Sequence, residues 1–425
     1  MAGKDLDLLD PDEFFADYDR RARERRERRS HRRRFPRPRG MSGPLTSAPA
    51  GRLLIAATAL LALATGIGLL ALWPSGPARH NVHGLPPSVS ATAGRSFTAP
   101  CGPSQCRELE ISVHGQRSRV TLGPPSTAPA ITPGTPIRVS PVPLQRGQAA
   151  PPGYQPWQFA DIDRHGSLMW LGLVLLVLAV VVIRLRGLLA AIGVGLSLLL
   201  LTTFLVPAIL AGEPALPVAL VCALAVMFIT LVLTNGVGPQ MFAAALGIGL
   251  TLLLICLLAL FAVHFAHIDG RTDEFSTYLA AVNPNLSLQG IVLAGMIVGA
   301  LGVLADTAVT QASAVMALRH ANPKLTPRQL YQGAFRVGRD HLSATIHTLV
   351  LAYVGASLPL LLITRSTGVS LTDALSTQDI AQPVIATLVG CLGLVCAVPL
   401  TTGLAALLVS RVPPGALHGV HAHAH

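Results

Sequence analysis

Asp306 is the residue whose type and position most demand a chemical explanation. It stands inside the apolar run from Gly290 to Leu318, thirteen residues ahead of Arg319. At ~1.5 Å of rise per residue its carboxyl falls near mid-depth of a membrane-spanning helix. A charge at that level costs at least ~2.5 to 3.5 kcal/mol, and ionisable groups retained there commonly mark ion or proton paths. Gly295, Gly299, Gly302, Asp306, Thr310 and Ser313 follow one another at spacings of 4, 3, 4, 4 and 3, which line one helix face. Small residues admit a close neighbouring helix, and hydroxyls can hydrogen-bond a carboxyl. Thr307 and Gln311 widen the strip sideways.

The next apolar run carries a matching strip of His341, Thr345, Thr348, Ala352 and Gly355, with His347 beside it and Tyr353 farther along. Two such strips face to face bring Asp306 within reach of His347 or Thr348. In hydrocarbon a carboxyl holds its proton more tightly and a neighbouring cation loosens it, which is how a proton relay is poised. Asp306, Thr307, Thr310, Gln311, His347 and Thr348 are therefore candidates for a proton or ion pathway. The alternative is a permanently neutral acid that glues helices, with Gly295, Gly299, Gly302 and Gly355 as a packing seam. Between the two runs, Thr326 and Pro327 open a short helix whose Leu330, Ala334 and Val337 face one way while Arg328, Arg336 and Arg339 meet headgroups. It ends at Gly338, where Arg339 and Asp340 are placed to form an ion pair at the inner mouth of the following span.

The elements that must position these groups are membrane helices. Of 425 residues 51% are apolar and only 12% charged, about half the charge of an ordinary soluble chain. The apolar residues gather in runs long enough to cross a bilayer, which argues against a soluble enzyme. The spans are approximately Leu53 to Trp73, Leu168 to Ile183, Leu188 to Leu210, Ala215 to Thr234, Met241 to His264, Gly290 to Leu318, Leu342 to Ile363 and Gln382 to Ser410. The expected class is membrane all-α, with about eight transmembrane helices and a small β-rich extracytoplasmic module between spans one and two. In domains, residues 1–51 form a disordered charged cytoplasmic tail and 52–73 the first span. Residues 74–167 form the Pro-rich β module, 168–411 a seven-helix membrane domain and 412–425 a tail containing His418, His421, His423 and His425.

Within the β module, Glu108 to Val113, Val120 to Leu122 and Ile137 to Val142 read as short strands, with disordered approaches over Ser75 to Pro100 and Gly147 to Tyr154. Cys101 and Cys106 stand there either as a disulfide or as two free thiols. The net charge of +11 is local, because Arg20 to Arg39 holds twelve arginines. That run lacks interleaved aromatics and precedes a span, so it reads as a topology determinant rather than a nucleic-acid arm. Inner segments carry Arg184, Arg186, Arg319, Lys324, Arg328, Arg336, Arg339 and Arg411, whereas the outer loops carry only Arg271 and Arg365. This predicts a multi-pass protein of the cell membrane with both termini cytoplasmic.

No paired carboxylates, GxSxG, HExxH or phosphate-cradling loop is present, so no enzyme, metal site or cofactor is expected. The partners expected are the lipid bilayer and a small molecule, ion or envelope protein, with self-association open and nucleic acid excluded. Two readings follow: a proton-linked transporter or export-assisting protein, and a non-transporting scaffold that binds envelope partners.

The stretches GALGVLADTAVTQASAV and NPKLTPRQLYQGAFRVGRDHLSATIHTLVLAYVGASLPLLL, with FADIDRHGSL and FLVPAILAGEP earlier, resemble the YibE/F family of bacterial membrane proteins over about Ile137 to Arg411. The resemblance implies that Asp306 is the family's intramembrane aspartate and that Gly338, Arg339 and Asp340 are its Gly-Arg-Asp signature. It also matches Leu351, Ala352, Tyr353 and Gly355 to a Leu-Ala-Tyr-X-Gly stretch. His347 departs from the pattern, since relatives often carry Asn there. The family has no established activity. A remoter likeness to SecD/SecF and other resistance-nodulation-division proteins, in which such residues couple proton flow to export, implies a six-helix unit made of spans three to eight.

Overall fold

A computed structural model describes residues 49–74, 88–101, 104–142, 154–272, 274–284 and 286–410. The arginine run, the charged tail before Pro49 and the histidine tail after Ser410 lie outside the described residues, as do parts of both expected approaches to the β module. Leu54–Ser410 forms one compact unit.

The first helix, α1 (Pro49–Ala71), leads into five strands: β1 (Val89–Cys101), β2 (Ser104–Val113), β3 (Gln116–Gly123), β4 (Pro136–Pro141) and β5 (Trp157–Ile162). They form one antiparallel sheet in the order β3-β2-β1-β4-β5. Three meandering strands with the fourth returning beside the first make a Greek key. The two edge strands, β3 and β5, also touch, and Gln155 accepts hydrogen bonds from the backbone N–H and hydroxyl of Thr121. The sheet thus curls into a small barrel, the device by which five-stranded Greek-key barrels of the OB type hide their edges. Leu109, Ile111, Val120, Ile137 and Val139 fill it, each nearly or wholly buried.

The segment Val89–Cys101 corrects the expectation that the chain is disordered up to Pro100, because it is the central strand. It pairs with β2 along most of its length and with β4 through Val89 to Thr92, and a bulge between Ala93 and Ser96 lets it bend to serve both. Gly94 sits in that bulge, where a Cβ would fall 3.0 Å from Glu110 Cβ and 3.1 Å from its carbonyl oxygen. The strand β5 was likewise absent from the sequence-based reading. Cys101 and Cys106 form a disulfide across the end of the β1–β2 hairpin.

The helices that follow are α2 (His165–Ile183), α3 (Leu185–Leu210), α4 (Ala215–Asn235), α5 (Pro239–Phe265), α6 (Glu274–Val282), α7 (Leu288–Ala321), α8 (Pro327–Ala356), α9 (Leu358–Ser366), α10 (Leu371–Ser376) and α11 (Gln378–Ser410). Among the described residues seven helices are long and apolar enough to span a membrane. The pair α8 and α9, bent by 55°, adds an eighth when taken as one span. The separate interfacial helix expected from Thr326 and Pro327 to Gly338 is instead the first half of α8. A capping box starts that helix: the Thr326 hydroxyl accepts the Gln329 N–H, and the Gln329 carbonyl accepts the Thr326 N–H. Nothing interrupts it before Ala356, so its amphipathic and apolar halves run on as one rod.

The spans α4, α5, α7 and α11 are each buried over nearly half of their apolar stretch, whereas α2 buries none of its own and, among the described residues, packs chiefly along α3. The core is therefore the α4–α5–α7–α11 group, with α8 resting on α7 and α11. Glycines set the closest approaches. A Cβ at Gly247 on α5 would fall 2.5 Å from Thr401 Oγ1 on α11, and one at Gly338 on α8 would fall 2.5 Å from Gln311 Oε1 on α7. Gln311 is fully buried and cannot simply swing aside, since its Oε1 accepts a 2.9 Å hydrogen bond from Thr402 Oγ1.

Two outcomes test this packing. Leu109→Ala is expected to destabilise the barrel by ~2 to 5 kcal/mol, seen in the full-length protein as faster proteolysis within residues 88–142 with the helical domain unchanged. Gly338→Ala should lower the thermal unfolding temperature in detergent, and Gln311→Ala should remove most of that cost, a coupling that separate effects would not give.

Candidate functional site

The helix α7 is opened by Ser287, whose hydroxyl accepts the Gly290 N–H at 3.0 Å. It then runs unbroken for 34 residues, long enough to present two different polar faces at one level. The strip read from the sequence as a single seam resolves into these two. Gly295, Gly299, Gly302 and Asp306 are exposed on one face, whereas Thr307 and Gln311 are fully buried on another. Thr310 lies between them, half-buried. Ser313, a turn below, accepts from Gln240 Nε2 and donates to the Val309 carbonyl.

The exposed glycines do not form a packed seam. No atom comes within 4 Å of a Cβ placed at Gly295, Gly302 or Gly355, and only at Gly299 does another group close in, Tyr353 Oη at 3.0 Å. They form instead the floor of an open groove along α7, with α8 as its neighbour. Close packing occurs at Gly247, Gly338 and Gly393. Of these only Gly338 belonged to a motif noted in the sequence, and the contact with Gln311 gives its physical reason.

At the lower end of the groove the Asp306 carboxylate faces His341 on α8, with Oδ2 3.4 Å from Nε2. The distance is that of an ion pair, but the groups are not aligned as a hydrogen bond, and Nε2 has no hydrogen-bond partner. The Asp306 side chain is 67% exposed and that of His341 34%. His347 takes no part: it is exposed, and its Nδ1 lies 2.7 Å from the Ser343 carbonyl of its own helix. Six residues at 3.6 per turn carry it to another face, ~9 Å farther along the axis. Thr348 is also exposed and returns its hydroxyl to the Ala344 carbonyl at 3.1 Å. His341 stands one residue before the apolar half of α8, so the pair joins the middle of α7 to the start of that apolar half.

Behind the groove, a polar cluster lies in the core. Thr402 Oγ1 on α11 reaches Gln311 Oε1 and also the Val398 carbonyl at 2.6 Å, so its one hydrogen serves two acceptors. Gln311 Nε2, Thr307 Oγ1 and Thr401 Oγ1 are buried without a partner. Thr401 and Thr402 escaped the sequence reading because a pair of threonines in a long apolar helix carries no spacing signal. Their role shows only once α7 is laid against α11.

The remaining motifs are structural in character. Arg339 and Asp340 are both exposed, and no ion pair joins them among the described residues. In FADIDRHGSL, Asp161 accepts the Ile162 N–H at 2.7 Å and pairs with Arg164 at 2.9 Å, which holds its carboxyl below the ordinary aspartate range. The interaction is thus present above about pH 4 and fades as the acid protonates. Asp163 accepts the His165 N–H at 3.0 Å and lies 3.8 Å from Arg138, tying the start of α2 to β4. In FLVPAILAGEP, a π-helical turn at Leu201–Leu205 precedes Pro207, and Gly212 supplies the positive φ that ends the helix. Among the described residues no three His, Cys, Asp or Glu side chains gather as a metal site.

The arrangement places a carboxylate and an imidazole facing each other at the foot of the open face of α7. No curated protein and no solved structure matches the chain. The family described as YibE/F-like protein matches residues 171–411, which cover α3 to α11 and α2 from Leu171 onward. That is more than half of the sequence and contains Asp306, His341 and the whole groove, and the chain belongs to the YibE/F-like family.

Proposed function

We propose that the protein is a proton-linked transporter or export-assisting membrane protein in which Asp306 and His341 carry the proton. The observation that supports this most is the position of Asp306: a carboxylate in a membrane-spanning helix, open to a groove, with an imidazole 3.4 Å away. Imidazole is the side chain whose ordinary pKa lies nearest neutrality, so a carboxylate and an imidazole in mutual reach can pass a proton at physiological pH. The groove of small residues supplies the room for water that such a path needs. The termini are assigned to the cytoplasm on the arginine bias of the inner segments. No covalent chemistry is assigned to the protein, and its partners are the bilayer and the cargo.

The test is proton flux into proteoliposomes under an imposed pH gradient, at equal and verified incorporation. Wild type is expected to dissipate the gradient faster than empty vesicles. Asp306→Asn and His341→Gln should each slow it by tenfold or more, while His347→Gln should leave it within about twofold. Equal flux in wild type and Asp306→Asn would remove the carboxylate from the path. Flux no greater than that of empty vesicles in every variant would favour the scaffold reading. Gly302→Leu, which fills the groove above the pair without touching it, should lower flux and leave the thermal unfolding temperature nearly unchanged.

A further inference from the structure

An apolar cavity lies at the end where α7 begins, and it opens beside Gly295, the top of the groove. Its volume is about 420 Å³, within the range of small-molecule sites. The walls come from four helices: Leu279 on α6, Ile291, Val292 and Met296 on α7, Tyr353 on α8, and Gln382 with Ala386 on α11. The segment at Gly270 closes one side. There φ is +85°, and a Cβ would fall 2.7 Å from the Leu288 backbone, so the chain lies directly on the start of α7. Gln289 Nε2 fastens it by donating to the Ile268 carbonyl at 3.0 Å.

Two features of the cavity fix the chemistry it can hold. Among the described residues no Asp, Glu, Lys, Arg or His lines it, so an ionised guest would leave water and find no counter-charge among them. The carbonyl oxygen of Gln382 is buried and has no hydrogen-bond partner, an unmet acceptor that costs ~1 to 3 kcal/mol, and a turn of this amide, whose residue lines the cleft, presents it to a guest. A hydroxyl answers it, since it both donates and accepts and so suits a side-chain amide in either orientation. We propose that this cleft binds a neutral, largely apolar molecule that carries a hydroxyl, seated with its hydroxyl on Gln382 and its hydrocarbon against Ile291, Val292 and Met296.

Tyr353 gives the site its relation to the groove. It lines this cleft and, with Pro383, a second cavity of about 200 Å³, while its hydroxyl stands over Gly299. The ring is thus the partition between the cleft, the second cavity and the groove that descends to Asp306. The identification of the guest as cargo rests on the transport reading above, but the binding itself does not.

The experiment uses full-length protein in nanodiscs and a medium-chain alcohol bearing a diazirine, with the matching carboxylic acid and alkane as comparisons. Crosslinked peptides are read by mass spectrometry. The alcohol is expected to label the cleft segments around 279–296 and 382–386 saturably, at least tenfold more than the acid. Gln382→Leu should weaken alcohol labelling by about tenfold and leave the alkane equal or stronger. Gly295→Trp and, from the opposite wall, Ala386→Phe should each abolish it, with the thermal unfolding temperature of each variant measured as the folding check. Asp306→Asn should label like wild type, so a failed flux experiment and a failed cleft remain distinguishable. Equal labelling by alcohol, acid and alkane, indifference to Gln382→Leu, or labelling spread evenly over the exposed faces of α1 and α2 would overturn the proposal.

Discussion

The contact on which the site depends is the one between Gln311 and Gly338. The amide of Gln311 fills the space that a side chain at position 338 would occupy, and Thr402 holds it there by a 2.9 Å hydrogen bond. Three helices, α7, α8 and α11, are registered against one another at that point. One turn farther along α8 comes His341, and five residues back along α7 comes Asp306. Their approach to 3.4 Å is therefore a consequence of a buried packing contact and not of the weak attraction between the two groups themselves. This is economical in a membrane, where lipid is as apolar as the side chains and helix association rests on close packing and a few buried hydrogen bonds.

That register also explains how α7 serves two purposes. Its buried face, with Thr307 and Gln311, meets the core, and its exposed face, with Gly295, Gly299, Gly302 and Asp306, has no close neighbour along most of its length. A helix uniformly packed on all sides would have no groove, and one without the Gln311 contact would have no fixed partner for its carboxylate. The second half of α8 is free to stand away from α7 because the helix's buried residues, Leu330, Ala334 and Gly338, all lie in the first half.

The sequence exposed some of this plainly and hid the rest for physical reasons. Membrane spans are legible because hydrocarbon demands some twenty apolar residues, and Asp306 is conspicuous for the same cause. A spacing of 4, 3, 4 shows which residues share a face, but not what stands opposite. Gly295, Gly299 and Gly302 therefore suggested a packed seam, although they floor an open groove. The choice between His341 and His347 depended on the register of α8, which is fixed by a glycine whose role is visible only against Gln311. In the barrel, β1 was overlooked because its small and polar residues do not alternate, and the bulge at Gly94 shifts the phase midway. Yet that bulge is what lets one strand pair with two neighbours and the sheet close.

The open face of α7 runs from the cleft at Gly295 to the carboxylate of Asp306. At its foot a carboxylate is tolerable in a membrane while water reaches it, and costly once that water is displaced by apolar matter. At its head, past Tyr353, lies a cleft whose lining favours a neutral and mostly apolar guest. On the transport reading proposed above, a guest that advanced from the cleft along Gly299 and Gly302 would pass beneath the Tyr353 hydroxyl and displace water from the Asp306 carboxylate, so cargo and carboxylate would compete for the same open face of α7.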